Sequence, residues 1–165
     1  MKLYPFKFIP VYKEKIWGGN YHVSQLGRTD TDKSANIGES WEISSVEGDI
    51  SVVANGELAG NGLDELIEVY MGDLVGDKVY EEFGTTFPIL VKIIDAHDDL
   101  SVQVHPNDEV ALDKHNSMGK TEMWYILDAE PEATIVTGFA QETNRNDFEK
   151  LVHGPEVLDV LNTVQ

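Results

Sequence analysis

The chain has 165 residues, room for one domain with a real core and too little for two ordinary ones. Hydrophobic residues at 41% and charged residues at 25% exclude wholesale disorder, while 12 Lys and Arg against 30 Asp and Glu leave a net charge of −18. Such a surface repels phosphate backbones and anionic headgroups, so neither nucleic acid nor a membrane surface is an expected partner.

There is no cysteine, which rules out disulfide frameworks and thiolate metal sites. Only His, Asp, Glu and amide groups remain as ligands. Prolines at 5 and 10 interrupt the start, so no signal peptide is expected there, and no apolar run approaches the roughly 18 residues of a membrane span. The expectation is a soluble protein of the cytoplasm. The acidic residues are spread along the chain and read as a solvated surface.

In chain order, the first sixty residues are short β-prone runs divided by glycine: Lys15–Gly19, Gly38–Ser44 and Ile50–Val53. Leu63, Leu66, Ile67 and Tyr70 recur at helical spacing, which predicts a helix over 63–71 ending near Gly72. A second helical piece is expected over 73–83, stopping at Gly84. Phe87–Asp95 is a long β-branched run and the best strand in the chain. A turn at 97–99 leads to a further strand over 100–105, ended by Pro106. Asn107 can cap a helix over 108–114, and 122–127 and 133–137 read as two more strands. Asn146 to Glu149 has the spacing of a capping box for a helix ending near Gly154, and Pro155 opens another short helix. Antiparallel strands with short connections and peripheral helices imply a mainly β fold, a sandwich or barrel. No glycine-rich phosphate loop follows a strand and opens a helix.

On a strand, alternate residues share a face, so Ser101, Gln103 and His105 point one way and Val102 and Val104 the other. Lys120 and Glu122 share a face in the same manner if their strand begins that early. Two neighbouring strands would gather Gln103, His105, Lys120 and Glu122 around one point. An imidazole, a carboxylate and an amide oxygen are suitable donors for a divalent metal. The ammonium of Lys120 suits a phosphate or a developing oxyanion instead. A single Q-x-H on a strand is a weak signal alone, and a solvated barrel mouth would accept the same residues.

The run F-P-I-L-V-K-I-I-D-A-H-D-D-L-S-V-Q-V-H-P-N-D, followed by G-K-T-E-M-W-Y-I-L, resembles the type I phosphomannose (mannose-6-phosphate) isomerases. The W-G-G and G-E-S-W-E-I-S segments are similar to that family too, so the resemblance runs from about residue 4 to 165. It implies a cupin (jelly-roll) fold, a single catalytic domain over 1–165 and one zinc ion. The implied ligands are Gln103, His105 and Glu122, with a fourth, histidine ligand that this sequence does not supply at a matching position. His97, His115 and His153 do not match it. The chain therefore resembles the N-terminal portion of such an enzyme.

The resemblance further implies interconversion of mannose 6-phosphate and fructose 6-phosphate through a cis-enediol. Glu39 is an implied catalytic residue and Ser101 and Lys92 are implied substrate-binding residues, while Lys120, beside Glu122, is the electrostatic candidate for a catalytic and substrate-binding group. Read without the family, Glu39 is a surface glutamate and Ser101 an ordinary strand serine. Lys92, among apolar neighbours, must either pair with a buried carboxylate or face a pocket. Trp17 and Trp41 read as packing residues. Two other readings remain: a non-catalytic cupin-like domain that binds a sugar phosphate or metal, and an iron oxygenase, which Q-x-H with Glu fits poorly. A jelly roll cut midway leaves unpaired edges, so a homodimer through those edges, or a smaller closed barrel, is expected.

Overall fold

Alternation around glycine builds the first sheet. Strand β2 (Val11–Gly19) lies antiparallel to β3 (Ile37–Ile43), and β3 pairs on its other edge with β5 (Val91–Ile94). The computed structural model describes residues 2–31 and 36–165, and the chain divides into two units, Met1–Leu100 and Ser101–Gln165. The W-G-G motif is explained by close approach: a Cβ on Gly18 would run into the Gly38 backbone nitrogen, and one on Gly19 would crowd the Asp95 carboxylate. That carboxylate in turn accepts the Tyr21 backbone N–H at 2.7 Å and starts the short helix α1 (Tyr21–Ser24). Gly38 is needed for the same reason, since a Cβ there would meet the Lys15 stem and the Trp17 ring.

A two-stranded ladder, β1 (Phe8–Ile9) with β4 (Val52–Val53), completes the strands of the first unit. Helix α2 (Leu63–Tyr70) follows the expected periodicity and buries Leu63, Leu66 and Ile67. The Glu65 carboxylate accepts the Gly62 N–H at 2.7 Å and so closes the helix start. The expected helix over 73–83 is in fact two, α3 (Gly72–Val75) and α4 (Asp77–Phe83). Gly76 separates them with φ +91°, a conformation no helix interior accommodates. The long run at 87–95 forms a strand only over Val91–Ile94, where β3 offers a partner.

The second unit holds α5 (Asp108–His115), β6 (Ile135–Phe139), α6 (Arg145–Leu151), a 3₁₀ turn (Pro155–Val160) and β7 (Leu161–Val164). Asn107 caps α5 as its position suggests, accepting the Val110 N–H at 3.0 Å. The capping box expected at Asn146 is displaced. Asn144 is the cap, and its side chain accepts the Asp147 N–H at 3.0 Å. β7 pairs antiparallel with β6, so the end of the chain supplies a strand where the sequence suggested none.

The strands expected over 100–105 and 122–127 do not form among the described residues. A strand exists only through its ladder, and neither segment has a backbone partner there. Side chains along both are largely exposed. The result is a sheet-rich chain with short helices, and no helix of the described residues is long and apolar enough to cross a membrane.

His22 is a buried titratable group of the first unit. It is fully buried in α1, packs edge-on against Tyr12 with ring centroids 6.1 Å apart, and neither ring nitrogen has a hydrogen-bond partner among the described residues. Burial holds its pKa below the usual histidine value; Asp95 and Glu42 oppose this and Arg28 reinforces it. A depressed histidine pKa means that the unfolded chain takes up its proton first as the pH falls. Stability should therefore drop from about pH 7 towards pH 5, by at most about 1.4 kcal/mol per pH unit. Urea unfolding at pH 7.5 and 5.5, followed by tryptophan fluorescence, should show that loss, and His22→Phe should abolish most of it. An equal slope in the variant would assign the loss to another group.

Candidate functional site

Two clusters contain the residues singled out from the sequence, one in each unit. In the first unit, alternation along β3 puts Glu39 and Trp41 on one face and the buried Ser40 on the other. The register sets Lys13 of β2 opposite Glu39 and Lys92 of β5 opposite Trp41. The consequence is a compact ionic group around one indole. The Trp41 Nε1–H donates to Glu39 Oε2 at 2.7 Å, and Lys92 Nζ lies 3.4 Å from the same oxygen. Both ammonium groups lie over the ring, Lys13 at 4.9 Å and Lys92 at 5.3 Å from its centroid. Lys13 is neutralised by Asp49 at 2.5 Å.

Lys92 pairs with the Glu39 carboxylate, and both side chains are mostly buried. Burial alone would raise the Glu39 pKa, but the Trp41 hydrogen bond and the Lys92 charge outweigh it and hold the carboxyl below its ordinary value. Lys13 and Asp49 were not legible as members of this group. Lys13 sits at an unremarked position of β2, and only the β2–β3 register brings it beside Trp41.

The second cluster lies in the other unit. Its geometry comes from the turn that follows His105. Pro106 accepts the Lys120 backbone N–H at 3.3 Å, and Asp108 accepts the Gly119 N–H at 2.9 Å. Gly119 must be glycine, because a Cβ would run into the Asn107–Asp108 backbone at 2.5 Å. These contacts fold the G-K-T-E segment back onto H-P-N-D without any strand ladder. Glu122 Oε1 then faces His105 Nε2 at 3.6 Å, and Glu122 Oε2 pairs with Lys120 Nζ at 3.1 Å.

Burial is again the largest influence on Glu122 and would raise its pKa. Lys120, His105 and a hydrogen bond from Trp124 together reverse it, so the carboxyl stays ionised below its usual range. Gln103 turns its amide Nε2 to Ser101 Oγ at 3.0 Å, which leaves the amide oxygen as its accepting end. Both of those side chains are exposed. His105, Lys120 and Glu122 are thus brought together as expected, and Gln103 and Ser101 form a pair of their own.

The 3.6 Å gap between the His105 nitrogen and the Glu122 oxygen exceeds a hydrogen bond. It is close to the separation of about 3.4 Å that two ligands take across a tetrahedral zinc with bonds near 2.1 Å. The donor pair therefore fits a divalent metal. It is not a complete site, since no group of three or more His, Cys, Asp or Glu is placed to hold one among the described residues.

The family model described as phosphomannose isomerase type I, catalytic domain, matches residues 5–147. The chain is 39% identical over 165 residues to the mannose-6-phosphate isomerase ManA of Bacillus subtilis, covering 98% of this chain and 49% of that protein. It is 42% identical over 125 residues to the mannose-6-phosphate isomerase of Streptococcus mutans, covering 76% of this chain and 37% of that one. The crystal structure of the Bacillus subtilis mannose 6-phosphate isomerase superposes with a TM-score of 0.83 at 32% identity, over 98% of this chain and 49% of that chain. The chain spans about half the length, or less, of these relatives. A catalytic-domain match over most of the sequence, joined to identity of this extent, shows that the chain belongs to the type I phosphomannose isomerase family.

Proposed function

We propose that this chain acts in the interconversion of mannose 6-phosphate and fructose 6-phosphate, on a cupin-type jelly-roll fold, with one zinc ion as cofactor. The observation that carries the reading is the opposed His105 nitrogen and Glu122 oxygen at 3.6 Å, with Lys120 on the second carboxylate oxygen. His105, Glu122 and the Gln103 amide oxygen are the groups that would hold the metal. When bound there, zinc supplies positive charge beside oxygens that become anionic during enolisation.

The reaction moves a proton between C2 of the aldose and C1 of the ketose through a cis-enediol, while the O1 and O2 hydrogens exchange. A base must take the carbon-bound proton, and a positioned base contributes about 10²–10⁴-fold. Lys120 is assigned to substrate binding and to this proton: its neutral amine would take the proton from one carbon, and the ammonium so formed, paired with Glu122 at 3.1 Å, would return it to the other. Ser101 is assigned to a substrate hydroxyl. In the first unit, Lys92 is assigned to a substrate oxygen and Glu39 to proton handling, supported by the carboxyl held ionised beside Lys92. The cysteine-free composition fits a reducing compartment, and the cytoplasm is the proposed location.

A second reading has one observation behind it. The described residues bring together no group of three His, Cys, Asp or Glu. With His105 and Glu122 as a pair of donors, the alternative is a non-catalytic cupin-like domain that binds a sugar phosphate or a metal.

Three measurements test these assignments. Turnover of mannose 6-phosphate by the 165-residue chain should appear with zinc and disappear with a chelator. Absence of turnover with zinc would overturn the isomerase reading and leave the binding one. Zinc titration by calorimetry should show a site lost at least tenfold in affinity in Glu122→Gln and His105→Asn, and unchanged affinity would remove both from the ligand set. Lys120→Met should lower kcat by about 10²–10⁴-fold with zinc affinity retained.

Glu39→Gln should cost about 1–3 kcal/mol of stability by leaving Lys92 without its counter-charge. Because the Glu39 pKa is depressed, its contribution is present above the ordinary carboxylate value and lost as the pH falls through the folded one. Thermal melts should therefore show the variant and the parent converging as the pH drops below about 4.5. Equal melting temperatures at pH 7 would show that the pair contributes nothing.

A further inference from the structure

Two donors close on the Glu39 carboxylate, and both fall on the same oxygen. The Trp41 indole N–H donates to Oε2 at 2.7 Å, and Lys92 Nζ lies 3.4 Å from it. Among the described residues no hydrogen bond or ion pair falls on Oε1. The Glu39 side chain is 13% exposed, so water is a poor substitute for a lost protein donor. A carboxylate gripped at one oxygen by an N–H and an ammonium cannot turn about its last bond without breaking both contacts. Nor does it take a proton readily at Oε2, where two donors already point. Oε1 is left as the oxygen that accepts one.

The indole is itself held. Alternation along β3 puts it on the face of Glu39, and the register brings in a lysine from each neighbouring strand. The Lys13 and Lys92 ammonium groups lie 4.9 and 5.3 Å from the ring centroid, and Lys13 is paired in turn with Asp49. Cations against the π-system fix the ring and draw electron density from it, which strengthens its N–H as a donor. Burial of Glu39 favours the neutral acid, but the Trp41 N–H, the Lys92 ammonium and the Lys15 charge of β2 outweigh it.

We propose that Trp41 is a positioning residue: its indole N–H fixes Glu39 Oε2 and so makes Oε1 the oxygen that takes a hydroxyl proton from the substrate and returns it. The inference rests on the isomerase reading of Glu39 and adds the atom that works and the residue that sets it. The substrate O–H bond breaks as the Oε1–H bond forms, and transfer to the neighbouring substrate oxygen restores the carboxylate.

Two substitutions separate this role from packing. Trp41→Phe keeps an aromatic face for the lysines and removes the donor. Trp41→His loses the indole but puts an imidazole Nε2–H where the indole N–H stood. Carboxyl ¹³C NMR follows Glu39, with Glu39→Gln to identify its signal. The Glu39 midpoint should move up in Trp41→Phe and return towards the parent value in Trp41→His. In the parent, the Trp41 indole N–H signal should titrate with the same midpoint. In mannose 6-phosphate turnover with zinc, Trp41→Phe should lower kcat about tenfold with KM little changed, and Trp41→His should recover most of it. The acidic limb of the kcat–pH profile should move to higher pH in Trp41→Phe alone. A tryptophan that only packs predicts that the two variants behave alike. The proposal is overturned by an unmoved Glu39 midpoint or an undiminished kcat in Trp41→Phe, by an indole signal indifferent to Glu39, or by Trp41→His matching Trp41→Phe. Absence of turnover in the parent would instead overturn the isomerase reading, and the Glu39 role with it, while the NMR midpoints would still decide whether Trp41 holds the carboxylate.

Discussion

Pairing on both edges of β3 is the constraint on which the first unit depends. A central strand has its backbone groups satisfied on both sides, so its side chains are fixed in register with two neighbours at once. Glu39 and Trp41 occupy one face of that strand, and the register delivers a lysine from each neighbour to the same indole. The close approach of β2 to β3 is possible because Gly18 presents no side chain to the Ile37–Gly38 backbone and Gly38 presents none to Lys15 and Trp17. The W-G-G and G-E-S-W motifs are therefore two halves of one packing arrangement. Their chemistry, two ammonium groups and a carboxylate around an aromatic face, is a product of that arrangement.

The electrostatics follow locality more than total charge. The chain carries −18, yet its mostly buried groups sit in neutralised sets: Lys92 with Glu39, Lys13 with Asp49, Arg28 with Glu42. Beyond roughly 8 Å at physiological salt, an exposed charge is largely screened, so the acidic surface says little about what a pocket attracts. His22 is the exception in the same unit, a buried titratable ring with no hydrogen bond among the described residues. Its burial is tolerated in the neutral form, and this ties the stability of α1 to pH.

Much of this was readable in the sequence, and what was not has a physical cause. Helix α2 was legible because Leu63, Leu66 and Ile67 recur at its period and are the residues it buries. The cap at Asn107 was legible because capping is local chemistry. Strands are different. The runs at 100–105 and 122–127 have strand composition, but composition cannot provide a neighbour, and without a ladder neither forms. Conversely β7 forms because β6 is there to receive it. In the sites, His105, Lys120 and Glu122 were found by spacing and motif, whereas Lys13 and Asp49 depend on register and tertiary contact that no local pattern encodes.

The second unit brings His105 and Glu122 together without a sheet to hold them. The H-P-N-D and G-K-T-E segments meet through their own backbone, by the Lys120 N–H on Pro106, the Gly119 N–H on Asp108 and the absence of a side chain at Gly119. Those contacts suffice to bring His105 opposite Glu122. They do not fix the direction of Gln103, whose amide turns to Ser101 on an exposed segment. A metal centre needs donors held within about 0.5 Å of productive geometry, which demands locked rotamers and packed supports. Local turns position two donors, but a third on an unpaired segment gains that precision only when a ladder forms beside it.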